Sequence, residues 1–278
     1  MKRASVNRAT LNRASFNRAP WFLATPGLVA LAFLVIPLVA LLVEAPWSGF
    51  VGILNSPEAL AALRLSLLTS LVTTVIAVLL GVPLSWLLAR DVLPFTGLWR
   101  ALVIVPLLLP PVVGGVGLLT ALGRRGLVGQ WLYQGLGVQL PFTTAGVIVA
   151  QTFVAMPFLI ITMESGFRSM HRRYEEAATT LGASSWTVFR RITLPMVAPA
   201  ALAGAVLCWA RALGEFGATI TFAGNFPGVT QTMPLAVYSA LESDRSVAIA
   251  LSLVLLLVSV AVLVALRGRY LYARAAPQ

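Results

Sequence analysis

The chain has 278 residues, of which 59% are apolar and only 10% are charged. So few charges cannot give a globule of this size a polar surface, and the composition therefore excludes a water-soluble domain and indicates an integral membrane protein. The formal net charge is +11. Because the basic residues border apolar runs and do not form one patch, they indicate membrane topology rather than nucleic-acid binding.

Residues 1–20 repeat a cationic pentad, seen as RASVN, RATLN and RASFN. A five-residue step turns about 140° around a helix of 3.6 residues per turn, so the arginines share no face. We expect a disordered cytoplasmic tail that stays attached, orients the first helix and touches lipid headgroups. A cleaved signal peptide and an over-long assigned start are the competing interpretations, but the apolar run that follows is too long for a signal peptide.

Apolar windows of about twenty residues recur along the chain, and each is long enough to cross a hydrocarbon core of roughly 30 Å as a helix. Since a helix satisfies its own backbone groups in lipid, the sequence predicts an all-α membrane protein. The six predicted spans are Phe22–Val43, Ser66–Ala89, Ala101–Leu122, Thr144–Met163, Val197–Gly214 and Val247–Leu266.

The placement of basic residues predicts the orientation of these spans. With both termini in the cytoplasm, fifteen basic residues fall on the cytoplasmic side and four, Arg64, Arg124, Arg125 and Arg245, on the other. This asymmetry follows the positive-inside rule. The predicted organisation is a cytoplasmic tail (1–20), a first helix with its outer loop (21–63), a main transmembrane domain (64–267) and a second cytoplasmic tail (268–278).

Charged residues inside the spans are scarce, whereas ion-coupled carriers need them near the midplane of the membrane. Only Arg211 and Glu215 stand out. At four positions apart they would share one helix face, near the outer end of the fifth span. Two interpretations stay open: a neutralised pair that helps helices to pack, and a contribution to an outer gate.

The third span contains an unusual run, PLLLPPVVGGVG, that starts at residue 106. Prolines remove backbone hydrogen bonds and bend a helix, while glycines allow neighbouring helices to approach closely. A kinked packing helix and a bend that lines a pore fit this run equally well.

Motifs for catalysis and metal binding are absent from the sequence. Cys208 lies in an apolar span and has no second cysteine to pair with, and His171 lacks partners at ligand spacing. Neither a phosphate-binding loop nor a nucleophile elbow occurs. We therefore do not expect an enzyme, and we expect no catalytic residue, no metal and no cofactor of the chain's own. Any ATP would be bound by another subunit.

A polar and basic stretch, EEAATTLGASSWTVFRRITLP, occupies residues 175–195, in the longest predicted cytoplasmic loop. Glu175 and Glu176 suit the positive end of a helix, and Gly182 is suited to end that helix. Pro195 suits the start of the next span.

A second short helix is predicted between Gly182 and that span. Ser184 or Ser185 can cap its start, and Trp186 and Phe189 would lie on one face. Two arginines, at positions 190 and 191, would then lie near its negative C-terminal end. The product is a helix–bend–helix knuckle with aromatic anchors, which suits the groove of a partner protein.

The spacing in this stretch resembles the EAA loop, E-A-A-x3-G-x9-I-x-L-P, of membrane subunits in bacterial ABC importers. The matching residues are Glu176, Ala177, Ala178, Gly182, Ile192, Leu194 and Pro195. The resemblance implies a type I ABC importer fold with six transmembrane helices. It also implies that the knuckle is a coupling helix that docks into a cytoplasmic ATPase subunit, where ATP and Mg bind.

Three further stretches resemble the molybdate permease subunits of that family: PLLLPPVVGGVGLL (106–119), GRRGLVG (123–129) and ALGEFGATITFAGNFPGVTQTMPLAVY (212–238). This resemblance implies the permease subunit of an ATP-driven molybdate or tungstate importer in the bacterial inner membrane. Sulfate and thiosulfate permeases resemble the same regions and are the nearest alternative. An ion-coupled secondary transporter is the alternative from another class, and a membrane-embedded enzyme comes third.

The resemblance implies several partners: a second copy of the chain in a homodimer, two cytoplasmic ATPase subunits and an extracytoplasmic oxyanion-binding protein, within membrane lipid and without nucleic acid. The binding protein would dock on outer loops, including the segment 220–245 and its nearby threonine hydroxyls. These belong to Thr219, Thr221, Thr230 and Thr232. Thr219 and Thr221 join Arg211 and Glu215 as candidate gate or pathway residues. A pathway with few cations suits a dianion that must leave as readily as it enters.

Overall fold

The structure, a computed structural model, describes residues 21–273. Over that range the chain forms helices and connecting turns and contains no β-strand. It divides into two compact units, with the division between Pro46 and Trp47. The all-α class predicted from the apolar windows is therefore confirmed.

The first unit contains one long helix, α1 (Trp21–Val43), of 23 residues. At 1.5 Å per residue this helix is about 35 Å long, which is enough to cross the hydrocarbon core. The first predicted span, Phe22–Val43, is one of five helices in the described range that are long and apolar enough to cross a membrane.

The second unit contains the remaining helices. Two short ones, α2 (Phe50–Leu54) and α6 (Gly129–Leu136), lie in connections. The others, in chain order, are α3 (Pro57–Ala89), α4 (Thr96–Leu108), α5 (Pro111–Leu122), α7 (Thr144–Ser169), α8 (Arg173–Thr180), α9 (Ser185–Val188), α10 (Leu194–Leu213), α11 (Gly217–Ala223), α12 (Met233–Ser243) and α13 (Arg245–Ala273).

Helices α3, α7 and α10 pack against one another and form the centre of this unit. Their shared core consists mainly of small and flexible side chains, such as Ala77, Ala155, Met163 and Cys208. Lipid tails are as apolar as these side chains, so close packing rather than exclusion of water holds the helices together.

Four hydroxyl residues on α3 form a buried polar stripe at helical spacing: Ser66, Thr69, Ser70 and Thr73. The Ser66 hydroxyl accepts a hydrogen bond of 2.7 Å from the backbone N–H of Met233. Thr73 donates to Gln151 Oε1 on α7 at 3.2 Å. These bonds tie α3 to α7 and to the start of α12, as polar side chains do between helices in membranes.

The third predicted span, Ala101–Leu122, is not one helix. It is split into α4 and α5, which lie at 116° to each other. Leu109 takes an extended conformation with φ −72° and ψ 137°, because a residue before proline is pushed out of the helical region. Pro110 and Pro111 then supply no N–H to continue the helix. At about 20 Å and 18 Å, neither half crosses the membrane alone.

Several helices are longer than the apolar windows that predicted them. Helix α3 begins at Pro57, nine residues before the predicted start, where the Ser56 hydroxyl caps it by accepting from the Ala59 N–H at 3.3 Å. Helix α7 extends to Ser169, beyond the predicted end at Met163. Polar residues ended the predicted windows but are compatible with a helix that leaves the membrane.

Candidate functional site

The knuckle predicted from residues 175–195 is present. Helix α8 ends at Thr180, and Gly182 follows with φ +85°, a left-handed conformation that glycine adopts without strain. Ser184 caps α9 by accepting a hydrogen bond from the Thr187 N–H at 3.3 Å. The N-cap residue is therefore Ser184 and not Ser185.

The motif residues lie on both sides of this bend. Glu176, Ala177 and Gly182 are exposed, and Ala178 is half-buried. Beside them are three large exposed side chains, which we call the knuckle surface: Tyr174, Leu181 and Trp186. Leu181 is 88% exposed and Trp186 is 68% exposed. An exposed apolar patch on a polar loop is typical of a protein-binding site.

The two aromatic residues predicted to share a face do so, because the rings of Trp186 and Phe189 stack with their centroids 6.2 Å apart. The prediction that the second short helix of the knuckle ends near Arg190 and Arg191 is wrong. Phe189–Thr193 forms a π-helical turn, and the chain is helical without interruption from Ser185 to Leu213. The two arginines therefore face no helix end.

The π turn lies directly before a proline. Pro195, in the first turn of α10, has no N–H to donate to the carbonyl four residues earlier. The Leu194 N–H donates to the Phe189 carbonyl, five residues back, where an α-helix would use the carbonyl of Arg190. Ile192 lies inside this turn, and Leu194 and Pro195 begin α10, so the last motif residues join the knuckle directly to the fifth span.

Sequence reasoning missed the role of Glu175 in this loop. Its Oε2 atom lies 2.5 Å from Arg90 Nη2, at the end of α3, and its Oε1 atom accepts a hydrogen bond of 2.6 Å from Thr193. The sequence predicts for Glu175 only a favourable interaction with the helix dipole. Arg90 is 85 positions away in the sequence, and no sequence signal connected the two.

A second ionic cluster lies next to this contact. Glu164 Oε1 accepts hydrogen bonds from Arg100 at 2.6 Å and from Arg168 at 3.0 Å. Arg100 also donates to Asp91 at 2.7 Å. This hydrogen bond from Arg100 is the main cause that holds the pKa of the exposed Asp91 carboxyl below its usual value.

At the opposite end of α10, Arg211 and Glu215 are in contact, as predicted. Arg211 Nη2 lies 2.6 Å from Glu215 Oε2, an ion-pair distance without hydrogen-bond geometry. The predicted reason, one helical face, is wrong, because α10 ends at Leu213 and Glu215 follows it. Glu215 is buried, and its Oε1 atom accepts a hydrogen bond from the Ala218 N–H.

Of the four threonines considered for the pathway or for docking, three are buried in the unit and Thr221 is half-buried. Thr219 is fully buried, and Thr221 donates to the Gly217 carbonyl at 2.8 Å. Thr230 and Thr232 are also fully buried, with the Thr230 hydroxyl accepting from the Phe226 N–H. The expectation that these hydroxyls offer a docking surface is therefore wrong for Thr219, Thr230 and Thr232, since no partner can reach them in this conformation.

Residues 59–275 match the family described as "Binding-protein-dependent transport system inner membrane component". This match covers more than half of the chain. The chain belongs to this family. This is the family that the spacing of the EAA loop indicated.

Named relatives of the chain fall into two groups. It is 44% identical over 230 residues to the "Molybdenum transport system permease protein ModB" of Mycobacterium tuberculosis (strain ATCC 25618 / H37Rv), which covers 83% of this chain and 87% of that protein. It is 40% identical over 191 residues to ModB of Escherichia coli (strain K12), covering 69% and 83% respectively. It is 33% identical over 223 residues to the "Sulfate transport system permease protein CysT" of Escherichia coli (strain K12), covering 79% and 80%.

A solved structure shares the fold. The crystal structure of a bacterial ABC transporter involved in the import of the acidic polysaccharide alginate has a TM-score of 0.65 over 98% of both chains, at 20% identity. A second alginate transporter structure, in complex with a pentasaccharide-bound periplasmic protein, has a TM-score of 0.63 at 18% identity and covers 93% of both chains. The predicted ABC importer fold is therefore confirmed.

Proposed function

We propose that this chain is the permease subunit of an ATP-driven importer of molybdate. The observation that carries the proposal is the higher identity to ModB, 44% over 230 residues, than to CysT, 33% over 223 residues. Tungstate has the same charge and shape as molybdate and is included in the proposal.

The knuckle surface supplies the coupling part of the proposal. An ATPase subunit on the cytoplasmic side would receive Leu181 and Trp186 in a groove, with Glu176, Ala177, Ala178 and Gly182 at the contact. ATP and Mg would bind that subunit and not this chain. Because the helix runs without a break from Ser185 to Leu213, movement of the docked knuckle would reach the fifth span directly.

The orientation is part of the proposal. If the knuckle meets a cytoplasmic ATPase, the loop 123–143 at the other end of α7 faces the outside, and both termini lie in the cytoplasm. An extracytoplasmic oxyanion-binding protein would then dock on that outer side. Two copies of the chain would enclose the pathway about a twofold axis, as is usual for homodimers.

The ion pair between Arg211 and Glu215 supports a pathway that binds the transported dianion only weakly. The Glu215 carboxylate balances the guanidinium of Arg211, at 2.6 Å, so this arginine presents little net charge to a passing dianion. A dianion that met an unbalanced, desolvated cation would be held too tightly to leave. Selection of the cargo is therefore assigned to the binding protein.

The cargo and energy source are tested together in proteoliposomes that contain the chain, its ATPase subunit and its binding protein. We expect molybdate uptake that requires ATP and persists when ionophores collapse the proton and sodium gradients. ATP-driven uptake of sulfate without molybdate would replace the cargo with that of the CysT-like alternative. Uptake that follows an ion gradient without ATP would overturn the importer proposal.

The coupling role is tested by substitutions at Gly182. No atom lies within 4 Å of a Cβ built on Gly182, and its φ is +85°. Gly182→Asn keeps the conformation, since asparagine tolerates the left-handed region. Gly182→Trp adds bulk to the side that meets the ATPase, and Gly182→Ala brings the same left-handed strain without that bulk. We expect the Trp variant to fold but to lose transport per ATP hydrolysed, and the Asn and Ala variants to transport normally; normal transport by all three would contradict the coupling role.

A further inference from the structure

We infer that Arg90 is a positioning residue that makes the knuckle and helix α3 move as one body. The inference rests on the proposed function, because it concerns how movement of the docked knuckle reaches the membrane helices. The continuous helix from Ser185 to Leu213 connects the knuckle to α10 alone. A second connection is needed if α3, the longest helix of the unit, is to follow the knuckle.

The contact between Arg90 and Glu175 supplies this connection. Arg90 directly follows α3 as its C-cap residue, and Glu175 lies in the first turn of α8. The Arg90 side chain is 9% exposed and that of Glu175 is 21% exposed. Water therefore competes little for this charge-assisted hydrogen bond, which is stronger than a neutral one.

The Glu175 carboxylate joins three helices because each oxygen has its own partner. Oε2 receives Arg90 from α3, and Oε1 receives the hydroxyl of the buried Thr193, which directly precedes α10. A carboxylate held at both oxygens cannot rotate without losing one bond. The knuckle is thus fixed relative to the ends of both α3 and α10.

The next residue extends the connection to α4 and α7. Asp91 has φ +53°, which turns the chain sharply after α3. It accepts a hydrogen bond from Arg100, and Arg100 also donates to the Leu88 carbonyl at 2.7 Å and to Glu164. A displacement of the end of α3 would therefore be passed to α4 through Arg100 and to α7 through Glu164.

Substitutions can show whether the contact between Arg90 and Glu175 transmits movement or only stabilises the fold. Arg90→Gln and Glu175→Gln each remove one charge and nearly conserve shape. The swap of Arg90→Glu with Glu175→Arg restores opposite charges. Arg64→Gln is the matched control, because Arg64 is exposed on the same helix and has no ion pair among the described residues. Each variant is reconstituted with the ATPase subunit and the binding protein.

We expect both single variants to bind the ATPase subunit and hydrolyse ATP, but to transport about tenfold less molybdate per ATP, the effect of one lost charge-assisted contact. The swap should recover transport, and Arg64→Gln should equal the wild type. Unchanged transport per ATP in the single variants, loss of ATPase binding, or a swap that recovers nothing would each overturn the inference. Failure of the wild type and Arg64→Gln would instead count against the proposed function.

A distance measurement tests the same inference without relying on transport. Spin labels are placed at Val92→Cys and Thr180→Cys, both exposed, in a Cys208→Ala background that removes the single native cysteine. With Arg90 present, the label distance should be the same in the nucleotide-free and ATP-bound complex. With Arg90→Gln the distribution should broaden or shift between the two states. A nucleotide-dependent distance in the presence of Arg90 would overturn the inference.

Discussion

The Oε1 atom of Glu215 accepts a hydrogen bond of 2.8 Å from the backbone N–H of Ala218 and so caps the start of α11. The other carboxylate oxygen faces Arg211, in the last turn of α10. One buried side chain thus holds the end of one helix and the beginning of the next. Both contacts depend on a side-chain acceptor at position 215.

Glu215→Ala removes the cap and leaves Arg211 without its counter-ion. We expect the free energy of unfolding in detergent micelles to fall by about 1.5–3 kcal/mol, the value of hydrogen bonds to a charged group. Glu215→Gln, which keeps an acceptor for Ala218, should lie between Ala and the wild type. Glu242→Ala, at an exposed position, is the control and should stay within about 0.5 kcal/mol. Equal effects at positions 215 and 242 would refute the cap.

Close contact between α5 and α11 depends on Gly115. A Cβ built there would lie 2.6 Å from Thr221 Cβ and 3.0 Å from the Ala218 carbonyl oxygen. We expect Gly115→Ala to lower the free energy of unfolding by about 1–3 kcal/mol through overpacking. Thermal unfolding followed by tryptophan fluorescence measures this.

Gly117 in the same helix is the matched control, because no atom lies within 4 Å of its Cβ position. Gly117→Ala should be neutral or stabilising by up to about 1 kcal/mol, since alanine restricts the unfolded chain. If the two alanine variants unfold at the same temperature, the close approach of α5 and α11 is not a determinant of stability.

Local patterns were sufficient where the cause of a structure is local. Apolar windows predicted the long helices, and Gly182 with Ser184 or Ser185 predicted the two halves of the knuckle. The prolines at 110 and 111 predicted a bend but not its angle of 116°, because the packing of α5 against α11 helps to set that angle. The apolar windows were also shorter than the helices, as at the start of α3, where the helix begins at Pro57 and the window at Ser66. Mean hydropathy falls at the membrane boundary, whereas the helix continues beyond it.

Contacts between distant parts of the chain could not be predicted. The partners of Glu175 come from the end of α3 and from the turn before α10, and only the packing of these helices brings them together. Arg211 and Glu215 were predicted correctly as neighbours, but for a helical reason that fails because α10 ends between them. The π turn that replaces the expected helix end at Arg190 lies directly before Pro195, a residue from which the sequence predicted only the start of the next span.

Asp91 should give the protein a component of stability that depends on pH. Its pKa is lowered chiefly by the hydrogen bond from Arg100, with Coulombic attraction from Arg100 and nearby arginines. A carboxyl whose folded pKa is lowered contributes stability that is present above its unfolded pKa of about 3.9 and is lost as the pH falls through the folded value. Asp91→Asn should therefore flatten the melting-temperature profile between about pH 5 and the folded pKa. Identical profiles for the wild type and the Asn variant would show that this contact has no effect on stability.

Cysteine labelling tests the orientation of the chain. Leu127, in the loop before α7, is 75% exposed, and Leu181, in the knuckle after it, is 88% exposed. In a Cys208→Ala background, a membrane-impermeant maleimide should label Leu127→Cys in intact cells and Leu181→Cys only after permeabilisation. The two positions lie at opposite ends of α7, whose 26 residues extend about 39 Å. A reversed pattern would contradict the proposed orientation and, with it, the docking of the knuckle on a cytoplasmic ATPase. Labelling of both positions in intact cells would contradict the crossing of the membrane by α7 itself.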